Sequence, residues 1–141
     1  MNTIRLVTLA TYLVAIFISL GACAQNQGIT DVSNEELEKL LGKGITLVDI
    51  RTPEEWRQTG IIKGSQTITL FDRNGRVAKD FVSKFTTAVP TDQPVALICR
   101  TGNRTRAASA MVTQQLGYKK VYNVSKGITD WIRSGKPITQ L

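Results

Sequence analysis

The feature that most constrains the fold is a short apolar run, Val95 to Ile98, which ends at Cys99 and leads into a polar loop with a glycine. Residues 107–116 then have a helix-like composition, so this stretch predicts a strand, a tight loop and a helix. Such an arrangement points backbone N–H groups and the positive end of a helix dipole at an anion. Open α/β sheets bind their ligands at this carboxyl end of the strands. We therefore expect an anion site at Cys99, where the anion is the thiolate or a group attached to it.

The rest of the chain alternates short apolar runs with segments of helical spacing. Strands are predicted at residues 29–32, 45–50, 65–70, 95–98 and 119–124. Helices are predicted at residues 33–41, 52–60, 77–89, 107–116 and 128–134. Trp131 of the last helix is expected to pack inward. Because strands alternate with helices, we expect one α/β domain, with a parallel sheet of about five strands and helices on both faces.

The start of the chain has the pattern of an export signal over residues 1–24. Arg5 forms a short basic region, and the apolar stretch from Leu6 to Leu20 is shorter than the ~20 residues of a membrane span. The residues up to Cys23 resemble a bacterial lipobox, which would leave Cys23 as a lipidated N-terminus. Ala22 to Ala24 also fits ordinary signal cleavage, and an uncleaved anchor is the third alternative. We expect an exported, periplasmic protein, which is attached to a membrane if Cys23 is lipidated.

Cleavage of such a leader leaves residues 25–28 as a linker and residues 29–141 as the folded domain. Cys99 would then be the only free thiol of the mature chain. A lone thiol is unusual in an exported protein, so Cys99 is either a buried, inert side chain or a reactive nucleophile. The sequence has no histidine. This excludes activation by a Cys–His or Ser–His–Asp arrangement and removes the commonest metal ligand, so we expect no bound metal.

The charge balance is basic, with 18 lysines and arginines against 11 carboxylates in 141 residues and a formal net charge of +7. Such a balance suits nucleic acid, an anionic surface or small anionic substrates. The basic residues do not form one run and the aromatic residues are few, so the interleaved stacking groups that single-stranded nucleic acid needs are absent. We therefore expect no nucleic-acid partner.

The loop after Cys99 carries groups that could stabilise a thiolate. Gly102 allows a positive φ, so that successive N–H groups can point inward as an anion nest. The hydroxyls of Thr101 and Thr105 can donate hydrogen bonds. Positive charge comes from three arginines: Arg100, Arg104 and Arg106. They cannot all face inward, and the alternative role of Arg104 is a salt bridge in the loop or at the helix start.

The segment from Cys99 to Arg104, with the order Cys-Arg-Thr-Gly-Asn-Arg, resembles the active-site loop of single-domain rhodaneses, sulfurtransferases that carry sulfur as a cysteine persulfide. Three further elements are similar to motifs of that family, and together they cover about residues 29–138. They are Asp49-Ile-Arg51 with Glu55-Trp56, Gly60 to Ser65, and Gly127-Ile128 with Trp131, Gly135 and Pro137. Two departures are Ile61 in place of a frequent histidine and Lys126 in place of a glycine. Neither is expected to touch the loop.

This resemblance implies a three-layer rhodanese-like fold and an enzyme, a thiosulfate sulfurtransferase without a cofactor. Cys99 would take the sulfane sulfur of a small anionic donor such as thiosulfate, release sulfite, and pass the sulfur to cyanide or a thiol. The loop would bind the donor and the persulfide through Arg100, Thr101, Gly102, Asn103 and Arg104. Thr105, Asp49 and Arg51 would support it, the last two mainly by bracing the sheet edge. We expect a monomer.

Two alternatives have different chemistry. A rhodanese-like module that only carries sulfur or binds a partner would not turn over thiosulfate. Phosphatases and arsenate reductases related to this fold use a longer Cys-x5-Arg loop around a tetrahedral oxyanion, and here the corresponding position is Thr105. Because Arg104 comes one residue earlier, the spacing favours the sulfurtransferase.

Overall fold

The computed structural model describes residues 28–141. The predicted export signal with Cys23, and residues 25–27 of the predicted linker, lie outside the described residues. Five strands are β1 Ile29–Val32, β2 Thr46–Asp49, β3 Gln66–Thr67, β4 Val95–Ile98 and β5 Val121–Val124. Five helices are α1 Asn34–Gly42, α2 Pro53–Thr59, α3 Phe81–Ala88, α4 Asn103–Gln114 and α5 Gly127–Arg133. Among these residues, no helix has the length and apolar character needed to cross a bilayer.

All five strands are parallel and lie in the order β1-β5-β4-β2-β3. The central strand is β4, whose four residues are all buried. A strand buried on both faces needs an unbroken apolar run. The run from Val95 to Ile98 is the pattern that predicted β4. The predicted parallel α/β sheet is therefore confirmed, and β1 lies at one edge of it.

The residues of β4 alternate between two hydrophobic cores, as side chains of a strand must. Val95, Leu97 and Cys99 pack on the face that α3 and α4 cover. Ala96 and Ile98 pack on the opposite face, with α1 and α5. The predicted inward packing of Trp131 is confirmed, because this residue is 2% exposed and belongs to the second core. Sheet and helices thus form three layers.

Two helices begin with the capping boxes that their sequences predict. The Ser33 hydroxyl accepts the Glu36 N–H in α1, and the Glu36 carboxylate accepts the Ser33 N–H. Thr52 and Glu55 form the same reciprocal pair at the start of α2. Each cap satisfies N–H groups that have no partner within the helix, and such a cap typically stabilises a protein by about 1 kcal/mol.

Three predicted boundaries differ from the structure by more than two residues. The strand predicted at 65–70 is reduced to the exposed pair of β3, although the chain continues alongside β2 as far as Leu70. The helix predicted from residue 77 begins at Phe81, because Val77 pairs with Phe71 in an isolated bridge and is exposed. The helix predicted from residue 107 begins at Asn103. The residues of its first turn are polar, as is common where N–H groups have no partner within the helix. In sequence, such a polar turn looks like a loop.

Candidate active site

Cys99 follows the last residue of β4 and is 1% exposed. Its Sγ accepts a hydrogen bond from the Gly102 N–H at 3.2 Å. The Thr105 Oγ1 lies 3.6 Å from the same sulfur and also donates to the Gly102 carbonyl at 2.9 Å. The thiol therefore sits in a turn that points a backbone N–H donor at the sulfur, while the Thr105 hydroxyl donates to the Gly102 carbonyl.

Gly102 holds the turn closed in a conformation that only glycine adopts easily. Its φ is 93°, so the predicted positive φ is confirmed. A Cβ on this residue would lie 2.0 Å from the Ser125 carbonyl oxygen. The residue is thus required both by its backbone angle and by the close approach of the chain after β5. The second requirement comes from a segment 23 positions away (125 − 102), which the local sequence pattern does not reveal.

The start of α5 binds the backbone of the cysteine loop through two hydrogen bonds. The Ile128 N–H donates to the Cys99 carbonyl at 2.9 Å, and the Thr129 N–H donates to the Arg100 carbonyl at 3.1 Å. A Cβ on Gly127 would lie 2.5 Å from the Arg100 carbonyl oxygen, so this glycine is also needed for close packing. A trans peptide places its N–H opposite its C=O. The N–H groups of Arg100 and Thr101, which lie in the same peptide units as these two carbonyls, therefore point away from α5. This orientation suits the predicted anion nest.

Arg104 forms a bidentate salt bridge with Glu55, at 2.7 Å from Nη1 to Oε2 and 2.6 Å from Nη2 to Oε1. Burial acts to raise the pKa of Glu55, but hydrogen bonds from Arg104 and the Thr52 N–H outweigh it, and the net pKa is lowered. The hydrogen bond with Glu55 raises the pKa of Arg104, against the effect of burial. Arg104 thus has the salt bridge that the sequence left as its alternative role, while donor binding by this residue stays a prediction.

Glu55 is the residue of this site that sequence reasoning missed. The sequence indicates only that it belongs to the Glu55-Trp56 motif and follows Thr52 at the spacing of a helix cap. Its Oε2 accepts both the Thr52 N–H at 3.0 Å and Arg104 at 2.7 Å. One carboxylate thereby ties the start of α2 to the first turn of α4, and its pairing with an arginine 49 residues away could not be read from spacing.

Asp49 and Arg51 form a completely buried ion pair, with side chains 0% and 1% exposed. Arg51 donates to Asp49 through Nε and Nη2 at 2.7–3.0 Å. The same guanidinium also donates to Thr59 Oγ1 at 2.6 Å and to the Gly60 carbonyl at 2.8 Å. Since Asp49 pairs in the sheet with Ile98, these bonds tie the C-terminal end of α2 to the neighbour of the strand that leads into the loop. The geometry agrees with the predicted bracing role.

The other predicted loop residues, Arg100, Thr101 and Asn103, are exposed. Within the described chain, neither Arg100 nor the exposed Arg106 takes part in a salt bridge. Only Arg104 is half-buried, so the three arginines do not all face inward, as predicted. Among the described residues, Arg104 is therefore held in a salt bridge, while Arg100 and Arg106 place unpaired positive charge at the surface of the site.

The two departures from the family pattern have different outcomes. Ile61 pairs with the backbone of Thr139 at 2.8 and 2.7 Å, in a bridge to the C-terminal segment. Lys126, however, lines a cavity of about 350 Å³ together with Thr101 of the loop. The expectation that Lys126 does not touch the loop stays a prediction, but the residue lies beside the loop, because the chain after β5 folds back against it. Residues 28–141 hold no group of three acidic or thiol side chains that could bind a metal ion.

The comparisons with known proteins agree with this geometry. The family model of the rhodanese-like domain matches residues 33–134. A sulfurtransferase of Allochromatium vinosum is 33% identical over 112 residues, which are 78% of this chain and 94% of the relative. The thiosulfate sulfurtransferase GlpE of Pseudomonas aeruginosa is 33% identical over 100 residues, which are 71% and 81%. The crystal structure of Rv0390 from M. tuberculosis has a TM-score of 0.67 at 25% identity and covers 79% of this chain and 97% of that one.

A parallel three-layer sheet with a cysteine loop at its carboxyl edge defines the class of protein. The matched residues include all but one of the strands, the cysteine loop and all five helices. The chain belongs to the rhodanese-like family, and the two relatives named above are sulfurtransferases.

Proposed function

We propose that this protein transfers sulfane sulfur through a persulfide on Cys99, with thiosulfate or a similar anion as donor. The observation that carries the proposal is the hydrogen bond from the Gly102 N–H to the Cys99 sulfur at 3.2 Å, in a loop whose first two carbonyls, those of Cys99 and Arg100, are turned toward α5. An inert buried cysteine needs no such donor. A thiolate or a persulfide does, because its charge must be stabilised in a site that is closed to water.

The proposed first step forms one S–S bond and breaks another. The Cys99 thiolate attacks the outer sulfur of thiosulfate, the S–S bond of the donor breaks, and sulfite leaves with the bonding electron pair. The enzyme then holds Cys99–S–S⁻. The terminal sulfur lies about 2 Å beyond Sγ, so sulfur uptake moves the reacting atom outward from a thiol that is 1% exposed.

The second step returns the enzyme to its starting state. A thiolate or cyanide attacks the terminal sulfur, leaves as a persulfide or thiocyanate, and Cys99 becomes a thiolate again. No electrons are gained or lost overall, and no cofactor is needed. The loop N–H groups stabilise the negative sulfur in both steps, the Thr105 hydroxyl can add a hydrogen bond if its proton turns from the Gly102 carbonyl to the sulfur, and the exposed Arg100 attracts the anionic donor.

The direct test is mass analysis of the full chain after incubation with thiosulfate. We expect one added sulfur on the peptide that contains Cys99, removal of this sulfur by cyanide, and loss of both with Cys99→Ala. Cys23→Ser is the matched control, since it removes the other cysteine and should leave the added sulfur in place. If the sulfur does not add to Cys99, or transfer survives Cys99→Ala, the proposal is wrong.

The same preparation separates the alternatives. A sulfur carrier would form the persulfide but would not turn over thiosulfate with cyanide. A phosphatase would hydrolyse an aryl phosphate with loss of activity in Cys99→Ala, which the short spacing to Arg104 argues against.

We further propose that the protein is exported to the periplasm and acts there as a monomer, with Cys23 lipidated. Incorporation of labelled fatty acid that is lost with Cys23→Ser would support the lipid. A mature N-terminus near Gln25 would instead indicate ordinary signal cleavage, and sedimentation would measure the oligomeric state.

A further inference from the structure

The two edges of the sheet face in opposite directions. Because all strands are parallel, every strand begins at one edge, here called the amino edge, and Cys99 lies at the other. The four residues of β4 span about 13 Å between these edges. This length exceeds the Debye length of about 8 Å at physiological salt. Charges at the amino edge are therefore screened from a donor that approaches Cys99, and their role must be sought elsewhere.

The amino edge is rich in unpaired lysines. The connections that lead into β2, β3 and β5 carry four exposed lysines: Lys43, Lys63, Lys119 and Lys120. Among the described residues, none of the four forms a salt bridge. The connections into these strands and into β4 contain a single carboxylate, that of Asp92. The side chains of these connections therefore carry a net positive charge.

The chain joins the domain at this same edge. The Val121 N–H donates to the Gly28 carbonyl at 2.7 Å, and a Cβ on Gly28 would lie 2.8 Å from the Lys119 carbonyl oxygen. The predicted leader therefore connects beside Lys119 and Lys120. Five peptide steps separate Cys23 from Gly28 (28 − 23), which span at most about 17 Å.

We propose that the amino edge is a docking surface for anionic phospholipid headgroups, which holds the domain with Cys99 facing away from the bilayer. Lysines near an anionic leaflet are attracted to it, and each strengthens binding about fivefold. A membrane is favoured over nucleic acid because the predicted leader brings this edge to a membrane, while the few aromatic residues offer no stacking surface. The proposal rests on the proposed membrane attachment of the leader and does not depend on the sulfur-transfer function.

The test compares binding of the full chain to phosphatidylcholine vesicles with and without phosphatidylglycerol. The leader contributes to both, so the ratio of the two affinities isolates the charge effect. We expect the ratio to fall about thirtyfold for the double variant Lys119→Gln with Lys120→Gln. Arg106→Gln with Lys79→Gln is the matched control. This variant removes two exposed charges that form no salt bridge among the described residues. They lie near the carboxyl edge of the sheet, in the first turn of α4 and just before α3. Its ratio of affinities should change less than twofold.

Three results would overturn the proposal. Equal losses in both variants would mean that only net charge matters. No loss in either would mean that the leader alone binds. If the ratio of affinities of the wild-type protein stays unchanged at high salt, electrostatic attraction to the headgroups is excluded. This result does not depend on whether a variant folds. Persulfide formation should be unchanged in the lysine variant, so failure here is distinguishable from failure of the proposed sulfur transfer.

Discussion

Removal of the Glu55 carboxylate tests how the loop is held. Glu55 and Arg104 make two short hydrogen bonds, and their side chains are only 20% and 28% exposed. Hydrogen bonds to charged groups in such settings contribute about 1.5–3 kcal/mol. We expect Glu55→Gln and Arg104→Gln each to lower the free energy of unfolding by about 2 kcal/mol, since each leaves its partner half-buried and unpaired.

The double variant separates the pair from its surroundings. Because the second substitution removes a partner that is already unpaired, it should cost less than the first, with a coupling energy of about 1–2 kcal/mol. Urea denaturation of the four proteins measures this energy. A coupling energy near zero would refute the reasoning, and would mean that this salt bridge does not stabilise the start of α4.

The pH dependence follows from the lowered pKa of Glu55. A carboxyl whose folded pKa is below its unfolded value contributes its full stability above the ordinary value of 4.5, and loses it as the pH falls through the folded pKa. The stability difference between wild type and Glu55→Gln should therefore be largest at neutral pH and shrink in acid. A difference that grows in acid would contradict the sign of the shift.

Sulfur-transfer rates of the same variants distinguish the two roles of Arg104. If Arg104 acts only through the salt bridge, Glu55→Gln, Arg104→Gln and the double variant should slow persulfide formation equally. If Arg104 also binds the donor, Arg104→Gln should raise the KM for thiosulfate and Glu55→Gln should not.

Three further predictions concern the surroundings of the loop. Gly102→Ala should lower persulfide formation at least tenfold, because its Cβ would meet the Ser125 carbonyl at 2.0 Å; normal rates would refute this. Asp49→Asn should reduce the free energy of unfolding by about 3–5 kcal/mol in urea, since it leaves the Arg51 charge buried without its partner; a cost below 1 kcal/mol would contradict it. Lys126→Gln should raise the KM for thiosulfate about twofold with kcat unchanged, and an unchanged KM would exclude steering by this lysine.

Much of the architecture follows from local patterns. The apolar run into Cys99 predicts a central strand because only a strand covered on both faces needs four consecutive apolar residues. The capping residues Ser33 and Thr52 predict where α1 and α2 begin, because they satisfy N–H groups within three positions along the chain. Interactions of such short range are visible in sequence.

The boundaries that were predicted wrongly depend on contacts with residues just outside the periodic segments. Val77 has helical spacing with Phe81 and Phe85, but its backbone pairs with Phe71 instead. The polar turn from Asn103 looks like a loop, yet it is helical, with Gly102 as its cap. In each case the competing interaction comes from outside the periodic segment, so periodicity alone does not contain it.

The sequence by itself determined the class of fold, the position of Cys99 at the carboxyl edge, and the need for activation without histidine. These follow from apolar periodicity, turn chemistry and composition, which are local properties of the chain. Only the tertiary structure decided that Glu55 binds Arg104, that Ser125 closes on Gly102, and that Lys126 lies beside the loop. Such contacts join residues from different crossovers, and their geometry exists only after the sheet has brought the ends of its strands together.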